Sequence, residues 1–359
     1  MASPRTVDIE IVGAGMLGLS IAYECARRGL AVRVVDTASP RQSSSYGLLG
    51  ALSPHSPDSW NSKKQFQFDS LLMAEEWWRN VERKAGSNAG YARLGRIIPI
   101  ATERGLDLAR RRQRAAAGNW AGQAQWKLVR SSELDPDWTP ECRAGWAVLD
   151  TLSARIQPRM AVEALLAALR ELDCEVLEGT AATGLAARTI LATGVKGLEQ
   201  LSREFGRTLG MPEKGQALLL GNVAAGRHMI FSGRLFIVPH ADGTVAVGST
   251  SEREFEDARK TDDSLDELLS EAERLLPALK DGHVVERWAH LRPRSVTRTL
   301  VLGAHPHKPA TYVANGGFKT GIGMAPKVAS VMATLVLDGV DDIPPEFSMA
   351  RLLEAADRH

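Results

Sequence analysis

Four residues near the start of the chain have the types and spacing that bind the phosphates and ribose of a dinucleotide. In residues 7–36, VDIEIVGAGMLGLSIAYECARRGLAVRVVD, an apolar strand runs into Gly13, Gly15 and Gly18, a helix follows, and a second strand ends at Asp36. The glycines permit a tight turn and close approach of a pyrophosphate, which the positive helix N-terminus attracts. Asp36 can accept hydrogen bonds from ribose hydroxyls. The unit predicts a dinucleotide site, and a purely structural turn is the alternative.

A second glycine-rich turn, NGGFKTGIGMAP at residues 315–326, runs into an apolar helix that we expect to begin near Pro326. Between the two turns, the chain alternates between α/β pieces and antiparallel pieces. This order predicts an α/β (α+β) fold of two interleaved domains. The predicted pieces are a helix at 63–84, strands around an Arg-rich helix in 91–150, a helix at 158–172, a strand ending at Thr193 and Gly194, a hairpin at 233–252, and a helix with a Ser264/Glu267 capping box.

Composition favours a small-molecule ligand. The 359 residues carry 44 Lys and Arg against 43 Asp and Glu, so the net charge of +1 gives no reason to expect nucleic acid or an anionic membrane. The three cysteines are widely separated and have no metal-ligand spacing, which fits a reducing cytoplasm without a metal site. The N-terminus lacks a secretory leader pattern and no run approaches 18 apolar residues, so we expect neither secretion nor a membrane span.

The motifs, taken in order, resemble those of the FAD-dependent amine and amino-acid oxidoreductases of the D-amino-acid oxidase type, particularly the glycine oxidases of thiamine biosynthesis. The resemblance extends over nearly the whole chain. It rests on IVGAGMLG with Asp36, and on SSSYGLLGALSP, ILATG, LFIVPHADGTVAVGSTSE, WAHLRPRS and NGGFKTGIGMAP. It implies a Rossmann-like FAD-binding domain, interleaved with a smaller antiparallel-sheet substrate domain. We assign residues 1–85, 151–215 and 286–359 to the first and residues 86–150 and 216–285 to the second.

The resemblance implies non-covalent FAD that is held by both ends of the chain. The second glycine turn would then lie against the flavin, with a helix N-terminus that stabilises negative charge on the reduced ring. A loop before an apolar helix is the alternative for that turn. The implied cofactor-binding residues are Gly13, Gly15, Met16, Leu17, Gly18, Asp36, Ser45, Gly50, Gly194, Gly317, Lys319, Gly321, Ile322, Gly323 and Met324.

The resemblance also implies that a substrate carboxylate is clamped while hydride leaves the α-carbon for flavin N5. Arg292 stands where the family places the clamping Arg, although the nearby Arg294 is a competitor. Phe236 replaces a typical Tyr, Lys319 an Arg and Gly317 a His, so Arg292, Lys319 and Phe236 are the predicted substrate-site residues. The short 177–188 link predicts a trimmed FAD domain. His240 and His290 are expected to be satisfied polar residues rather than bases.

The leading hypothesis is an FAD-dependent enzyme that oxidises the C–N bond of a small amine or amino acid, with oxygen or a quinone as electron acceptor. A second hypothesis is an FAD-binding protein that has lost this activity and acts on another substrate or through a partner; Phe236, Lys319 and the short link motivate it. The first glycine motif alone would also permit a nicotinamide dehydrogenase.

Overall fold

The computed structural model describes residues 7–223 and 228–358. Within these ranges the helices are α1 (Met16–Arg27), α2 (Ser62–Ala85), α3 (Glu103–Asn119), α4 (Pro158–Arg170), α5 (Gly194–Glu204), α6 (Ser264–Leu275), α7 (Gly321–Asp338) and α8 (Met349–Ala356). The strands are β1 (Ile9–Val12), β2 (Val32–Asp36), β3 (Ala51–Leu52), β4 (Arg96–Ile100), β5 (Trp126–Arg130), β6 (Trp146–Asp150), β7 (Ala154–Arg155), β8 (Glu175–Glu178), β9 (Arg188–Leu191), β10 (Gly210–Gly221), β11 (Met229–Ser232), β12 (Leu235–Pro239), β13 (Val245–Gly248), β14 (His283–Ser295), β15 (Val301–Ala304) and β16 (Thr311–Asn315).

The first large sheet has six strands in the order β15, β16, β9, β1, β2, β8. All neighbours are parallel except β15 and β16, and Val12 of β1 lies opposite both Val35 and Leu191. Parallel strands place their carboxyl ends on one edge, which is where ligands bind in sheets of this kind. The turns that follow β1, β2, β9 and β16 lie at that edge.

The second large sheet has eight strands in the order β14, β10, β13, β12, β11, β4, β6, β5, and its neighbours are antiparallel except β11 and β4. Its strands interrupt those of the first sheet along the chain, which confirms the interleaved α/β fold. The hairpin of β12 and β13 is also confirmed. The boundaries after residues 215 and 285 fall inside β10 and β14, which pair along their length. We propose that both strands belong whole to the antiparallel domain.

The helices cover the sheets in separate apolar clusters. α1, α2, α4 and α7 share the largest core with β1 and β2, α5 and α8 pack near β15 and β16, and α6 packs on the eight-stranded sheet. The Ser264/Glu267 capping box is wrong, because Ser264 is the first helical residue of α6 and its hydroxyl donates to Asp262. The apolar faces therefore placed this helix correctly, while its cap was misassigned.

Helix α7 begins at Gly321, so the expected start near Pro326 is wrong. Pro326 lies inside the helix, where it cannot donate a backbone hydrogen bond. The Ser70 hydroxyl of α2 donates to the Gly323 carbonyl (2.9 Å) and accepts from the Lys327 N–H (3.3 Å), which satisfies the backbone beside the proline. By length and composition α7 (mean hydropathy 1.3) is apolar enough to cross a membrane, but 61% of it is buried within the structure, as in a core helix.

Glu10 lies in the middle of the parallel sheet and is fully buried. It accepts hydrogen bonds from the Thr183 N–H (2.8 Å), the Thr183 hydroxyl and the Gly184 N–H (3.4 Å). These residues belong to the short loop that joins β8 to β9. The charge that interrupts the first strand in the sequence thus anchors the short link.

Candidate functional site

The first glycine turn is built by close backbone contacts. Gly13 has a φ of +112°, and a Cβ there would lie 2.3 Å from the Ala192 carbonyl oxygen. A Cβ on Gly18 would lie 1.9 Å from the Gly13 oxygen. Gly15 differs, because its Cβ would meet only the Ser45 Oγ, at 3.4 Å. Gly13 and Gly18 therefore shape the turn, and Gly15 leaves room in front of the N-terminus of α1.

Asp36 and Ser45 both lie beside this turn. The Asp36 carboxylate accepts from the N–H groups of Ala14 (2.8 Å) and Ala38 (2.9 Å), one on each oxygen. Each oxygen keeps a lone pair for a further donor such as a ribose hydroxyl. The Ser45 hydroxyl accepts from the Met16 N–H at 2.9 Å, so its own hydrogen remains free to donate to a ligand.

The second glycine turn lies at the same sheet edge, and Asn315 connects it to the turn after β9. The Asn315 side chain donates to the Gly194 carbonyl (2.9 Å) and accepts from the Gly316 N–H (2.7 Å). Gly316 has a φ of +73°, and a Cβ there would lie 2.7 Å from the Thr299 oxygen. Asn315 was not predicted. Its amide fixes the relative position of the two turns.

A single cavity of about 1090 Å³ connects these turns with the antiparallel sheet. The predicted residues that line it are Gly15, Met16, Leu17, Asp36, Ser45, Gly50, Gly194, Phe236, Arg292, Gly317, Lys319, Gly321, Ile322 and Gly323. Gly321, Ile322 and Gly323 form the first turn of α7, where N–H groups have no intrahelical partner and carry partial positive charge. The N-termini of α1 and α7 therefore both face the cavity.

Three predicted cofactor residues lie outside the lining. Gly13 and Gly18 act through the backbone packing described above. Met324 is only 1% exposed, and its N–H donates to the Thr320 carbonyl at 3.0 Å. Its side chain belongs to the apolar core, so its position does not support the predicted direct cofactor contact.

Arg292 and Arg294 have different surroundings, although both lie on β14. Arg294 pairs with the buried Glu213 (Nε to Oε2, 3.3 Å). Arg292 donates to the Thr250 carbonyl (3.0 Å) and lies against Gly215, where a Cβ would fall 1.9 Å from Cζ. In the described part of the chain, no carboxylate lies within 4.0 Å of Arg292. Burial lowers the pKa of Arg292 to about 10, so it stays charged at neutral pH with donors free for a ligand.

Lys319 is the second cation that the sequence predicts for the substrate site, and it lines the cavity. Its ammonium lies 5.3 Å from the centre of the Phe318 ring, and it has no ion pair among residues 7–223 and 228–358. Much of the side chain remains accessible because it faces the cavity rather than packed atoms. Burial, and next the positive charge of Arg292, lower the pKa of Lys319. The two predicted cations are thus close enough to repel each other.

Aromatic rings form the wall of the cavity on the side of the antiparallel sheet. The Phe236 and Phe231 rings lie 4.4 Å apart, and Trp288 lies against Gly47, whose Cβ would be 2.9 Å from Cη2. The ring of Phe236 therefore adds apolar surface where a Tyr would add a hydroxyl. This wall can exclude water from a bound amine.

The two histidines named from the sequence have backbone partners. His290 Nε2 lies 2.9 Å from the Gln42 carbonyl oxygen, and His240 Nε2 lies 3.4 Å from that of Leu49. Burial lowers the pKa of both imidazoles and favours their neutral forms. Their surroundings agree with satisfied polar residues.

Sequence reasoning missed the contribution of α2 and the loop before it. His55 and Gln67 line the cavity and hydrogen-bond to each other, and burial lowers the pKa of His55. Gln67 is 2% exposed on a helix whose buried face is mainly apolar, which was an available signal. Nothing near His55 in the sequence indicated its position.

Comparison with known proteins gives one family match. The model of the family described as FAD-dependent oxidoreductase matches residues 8–335. The bifunctional protein ThiO/ThiG of Nostoc sp. is 27% identical over 94% of this chain, but the chain spans only 54% of that relative. The glycine oxidase of Geobacillus kaustophilus is 26% identical over 96% of this chain and 97% of its own.

The fold agrees with solved structures. A crystal structure of glycine oxidase from Geobacillus kaustophilus superposes with a TM-score of 0.86, covers 97% of this chain and 99% of its own, and is 22% identical. This likeness extends through both sheets. It establishes the shared fold.

Proposed function

We infer the function from one premise: this chain belongs to the family of FAD-dependent oxidoreductases. That membership replaces the nicotinamide dehydrogenase that the first glycine motif alone allowed. We propose that the protein oxidises the C–N bond of a small amine or amino acid, as the names of its glycine oxidase relatives suggest. The observation that carries the proposal is Arg292, a charged guanidinium that lines the same cavity as both glycine turns and has no carboxylate partner among residues 7–223 and 228–358.

The cavity residues fit FAD. We propose that Asp36 holds the adenosine ribose, because it ends β2 with acceptor capacity on both carboxylate oxygens. Gly15, Ser45 and the N-terminus of α1 would hold the pyrophosphate, since a phosphate needs both the space and the positive helix end. The first turn of α7, Gly321–Gly323, and Gly317 would lie against the flavin. Because glycine has no Cβ, Gly317, Gly321 and Gly323 leave room for a flat ring in this part of the lining.

When bound, FAD supplies at flavin N5 the acceptor for the hydride that leaves the substrate α-carbon. Arg292 binds the substrate carboxylate and fixes the α-carbon, since its planar fork makes paired hydrogen bonds. Phe236, Phe231 and Trp288 exclude water. The N-terminus of α7 supplies positive potential where negative charge develops. The substrate ammonium first releases a proton to solvent. The neutral amine then gives up the hydride, and the resulting iminium releases a second proton to solvent, so no side-chain base is required.

The product is an imine, which water hydrolyses to an oxo acid and ammonia. We propose oxygen or a quinone as the electron acceptor; with oxygen the second product is hydrogen peroxide. We also propose a cytoplasmic location, which accords with free cysteines whose thiols are buried or half-buried. The partner is a small molecule.

Anaerobic flavin reduction tests the proposal. The purified protein, supplemented with FAD, is mixed without oxygen with glycine, sarcosine, D- and L-amino acids and larger amines. We expect at least one amino acid to bleach the flavin absorbance, and Arg292→Met to slow that bleaching. A protein that binds no FAD would refute the proposal. A protein that binds FAD but is reduced by none of these compounds would support the alternative of a flavoprotein without this activity, which Phe236 and Lys319 motivate.

A further inference from the structure

Several cations line the cavity, and two of them, Arg292 and Lys319, were predicted to contact the substrate. Arg292 projects from β14 of the antiparallel sheet, and Lys319 precedes α7 beside the parallel sheet. Among the described residues, neither has a carboxylate within 4.0 Å. Arg292 is half-buried and Lys319 is exposed to the cavity, and two like charges in one cavity repel each other. An anionic ligand that contacts both would reduce this repulsion.

The nearby carboxylates are already engaged by other residues. Glu213 pairs with Arg294 at 3.3 Å and accepts from the Ser251 hydroxyl. Glu252 lies 3.4 Å from the Lys214 ammonium, and accepts from the Thr250 hydroxyl. Both still attract Arg292 at longer range, yet burial outweighs that attraction in setting its pKa. These carboxylates therefore leave Arg292 and Lys319 available to an anionic ligand.

One carboxylate does not satisfy both cations well. The Arg292 fork can occupy both oxygens of a carboxylate in a bidentate pair, whereas a lysine ammonium acts as a compact point charge. We propose that Arg292 and Lys319 each bind one carboxylate of a substrate that carries two carboxylates. This proposal rests on the function proposed above. The substrate class is a small amino dicarboxylic acid, or an amine with two carboxymethyl groups. Arg292 orients the reacting end, and Lys319 selects the second acid.

Binding of carboxylates that cannot be oxidised tests this assignment separately from catalysis. The FAD-loaded protein is titrated with propionate against succinate and with butyrate against glutarate, following the flavin spectrum and tryptophan fluorescence. We expect the dicarboxylate of each pair to bind about tenfold or more tightly, because hydrogen bonds to charged groups change affinity by roughly that factor or more. The same titrations are run on Lys319→Gln and Lys319→Arg. Lys127→Gln, which removes an exposed lysine outside the cavity, is the matched control.

The variants should separate in a fixed pattern. Lys319→Gln should lose more affinity for dicarboxylates than for monocarboxylates, so that the preference disappears, and Lys319→Arg and the control should keep the preference. In anaerobic reduction, iminodiacetate and aspartate should then exceed glycine and alanine in the wild type but not in Lys319→Gln.

Other results overturn the assignment. Equal binding of mono- and dicarboxylates, or an equal loss of both in Lys319→Gln, would mean that Lys319 shares one carboxylate or acts only on the cofactor. The proposed oxidation would survive that result if glycine or alanine still reduced the flavin. Absence of binding by any carboxylate would refute both the two-carboxylate assignment and the role of Arg292.

Discussion

The glycines of the first turn offer a matched pair of substitutions that separates cofactor binding from folding. Gly15 has a φ of −80°, which alanine adopts without strain, and its Cβ would be 3.4 Å from the Ser45 Oγ. Gly18 has no room for a side chain, because a Cβ there would be 1.9 Å from the backbone oxygen of Gly13. We expect Gly15→Ala to fold and bind FAD weakly. We expect Gly18→Ala to lose stability even without FAD.

The magnitudes follow from these contacts. A methyl group forced against backbone costs at least the upper part of the usual range for overpacking, about 3 kcal/mol, of which the better helix propensity of alanine offsets about 1 kcal/mol. Gly18→Ala should therefore lower the free energy of unfolding of the apoprotein by roughly 2 kcal/mol or more. Gly15→Ala should change it by less than about 1 kcal/mol. A methyl group in the proposed pyrophosphate path should weaken FAD binding about 5- to 150-fold, which corresponds to about 1–3 kcal/mol.

Urea unfolding of the apoproteins, with and without FAD, measures both effects. At an FAD concentration 100 times the wild-type dissociation constant, the wild type should gain about 2.7 kcal/mol, and a variant that binds tenfold more weakly should gain about 1.4 kcal/mol. The reasoning about the turn is refuted if Gly15→Ala binds FAD as tightly as the wild type. It is also refuted if apo Gly18→Ala unfolds at the wild-type urea concentration.

Three further outcomes follow from the site and its supports. Arg292→Met should lower kcat/KM for carboxylate substrates about a hundredfold or more without changing FAD content, because paired charged hydrogen bonds of about 1.5–3 kcal/mol each are lost; unchanged rates of flavin reduction would contradict the clamp. Glu10→Ala should destabilise the protein by roughly 2 kcal/mol and speed proteolytic cleavage near Thr183, and an unaltered digestion pattern would argue against anchoring of the loop. Burial lowers the pKa of His240, so its contribution to stability should be complete above the ordinary pKa of about 6.5 and should be lost as the pH falls from there towards the lowered pKa. The urea midpoint of His240→Gln should therefore depend less on pH between pH 5 and 8 than that of the wild type. Equal pH dependence in the two proteins would exclude this role.

Local patterns predicted the parts of the site that depend on local geometry. The first glycine turn with Asp36 is a single strand, turn, helix and strand, so its spacing alone indicated where Gly13 and Asp36 would meet. The hairpin of β12 and β13 was predicted in the same way, from the alternation of apolar and polar residues and from an Asp-Gly turn. Both depend on contacts between near neighbours in the chain.

The Ser264/Glu267 error was local, because Asp262 takes the serine hydroxyl, whereas contacts between distant segments explain the other differences. Pro326 suggested the start of a helix, but Ser70, from another helix, satisfies the backbone around it and lets α7 begin at Gly321. Glu10 conflicted with a buried strand only until Thr183, far along the chain, supplied its donors. The same limit hid His55, because no local pattern shows which loop will reach the cavity.

The pairing of Asn315 with Gly194 has a consequence for how the protein is made. The cavity needs residues from Gly15 to Gly323. Strand β1 remains without its neighbour β9, and β9 then remains without its neighbour β16, until those strands have left the ribosome. At 5–20 residues per second, that interval lasts roughly 15–60 s. The complete cavity is therefore not available to FAD before then. The open edge of the parallel sheet during this time, first on β1 and then on β9, is where chaperones would act, and cofactor supply would influence yield only after synthesis of the cavity is complete.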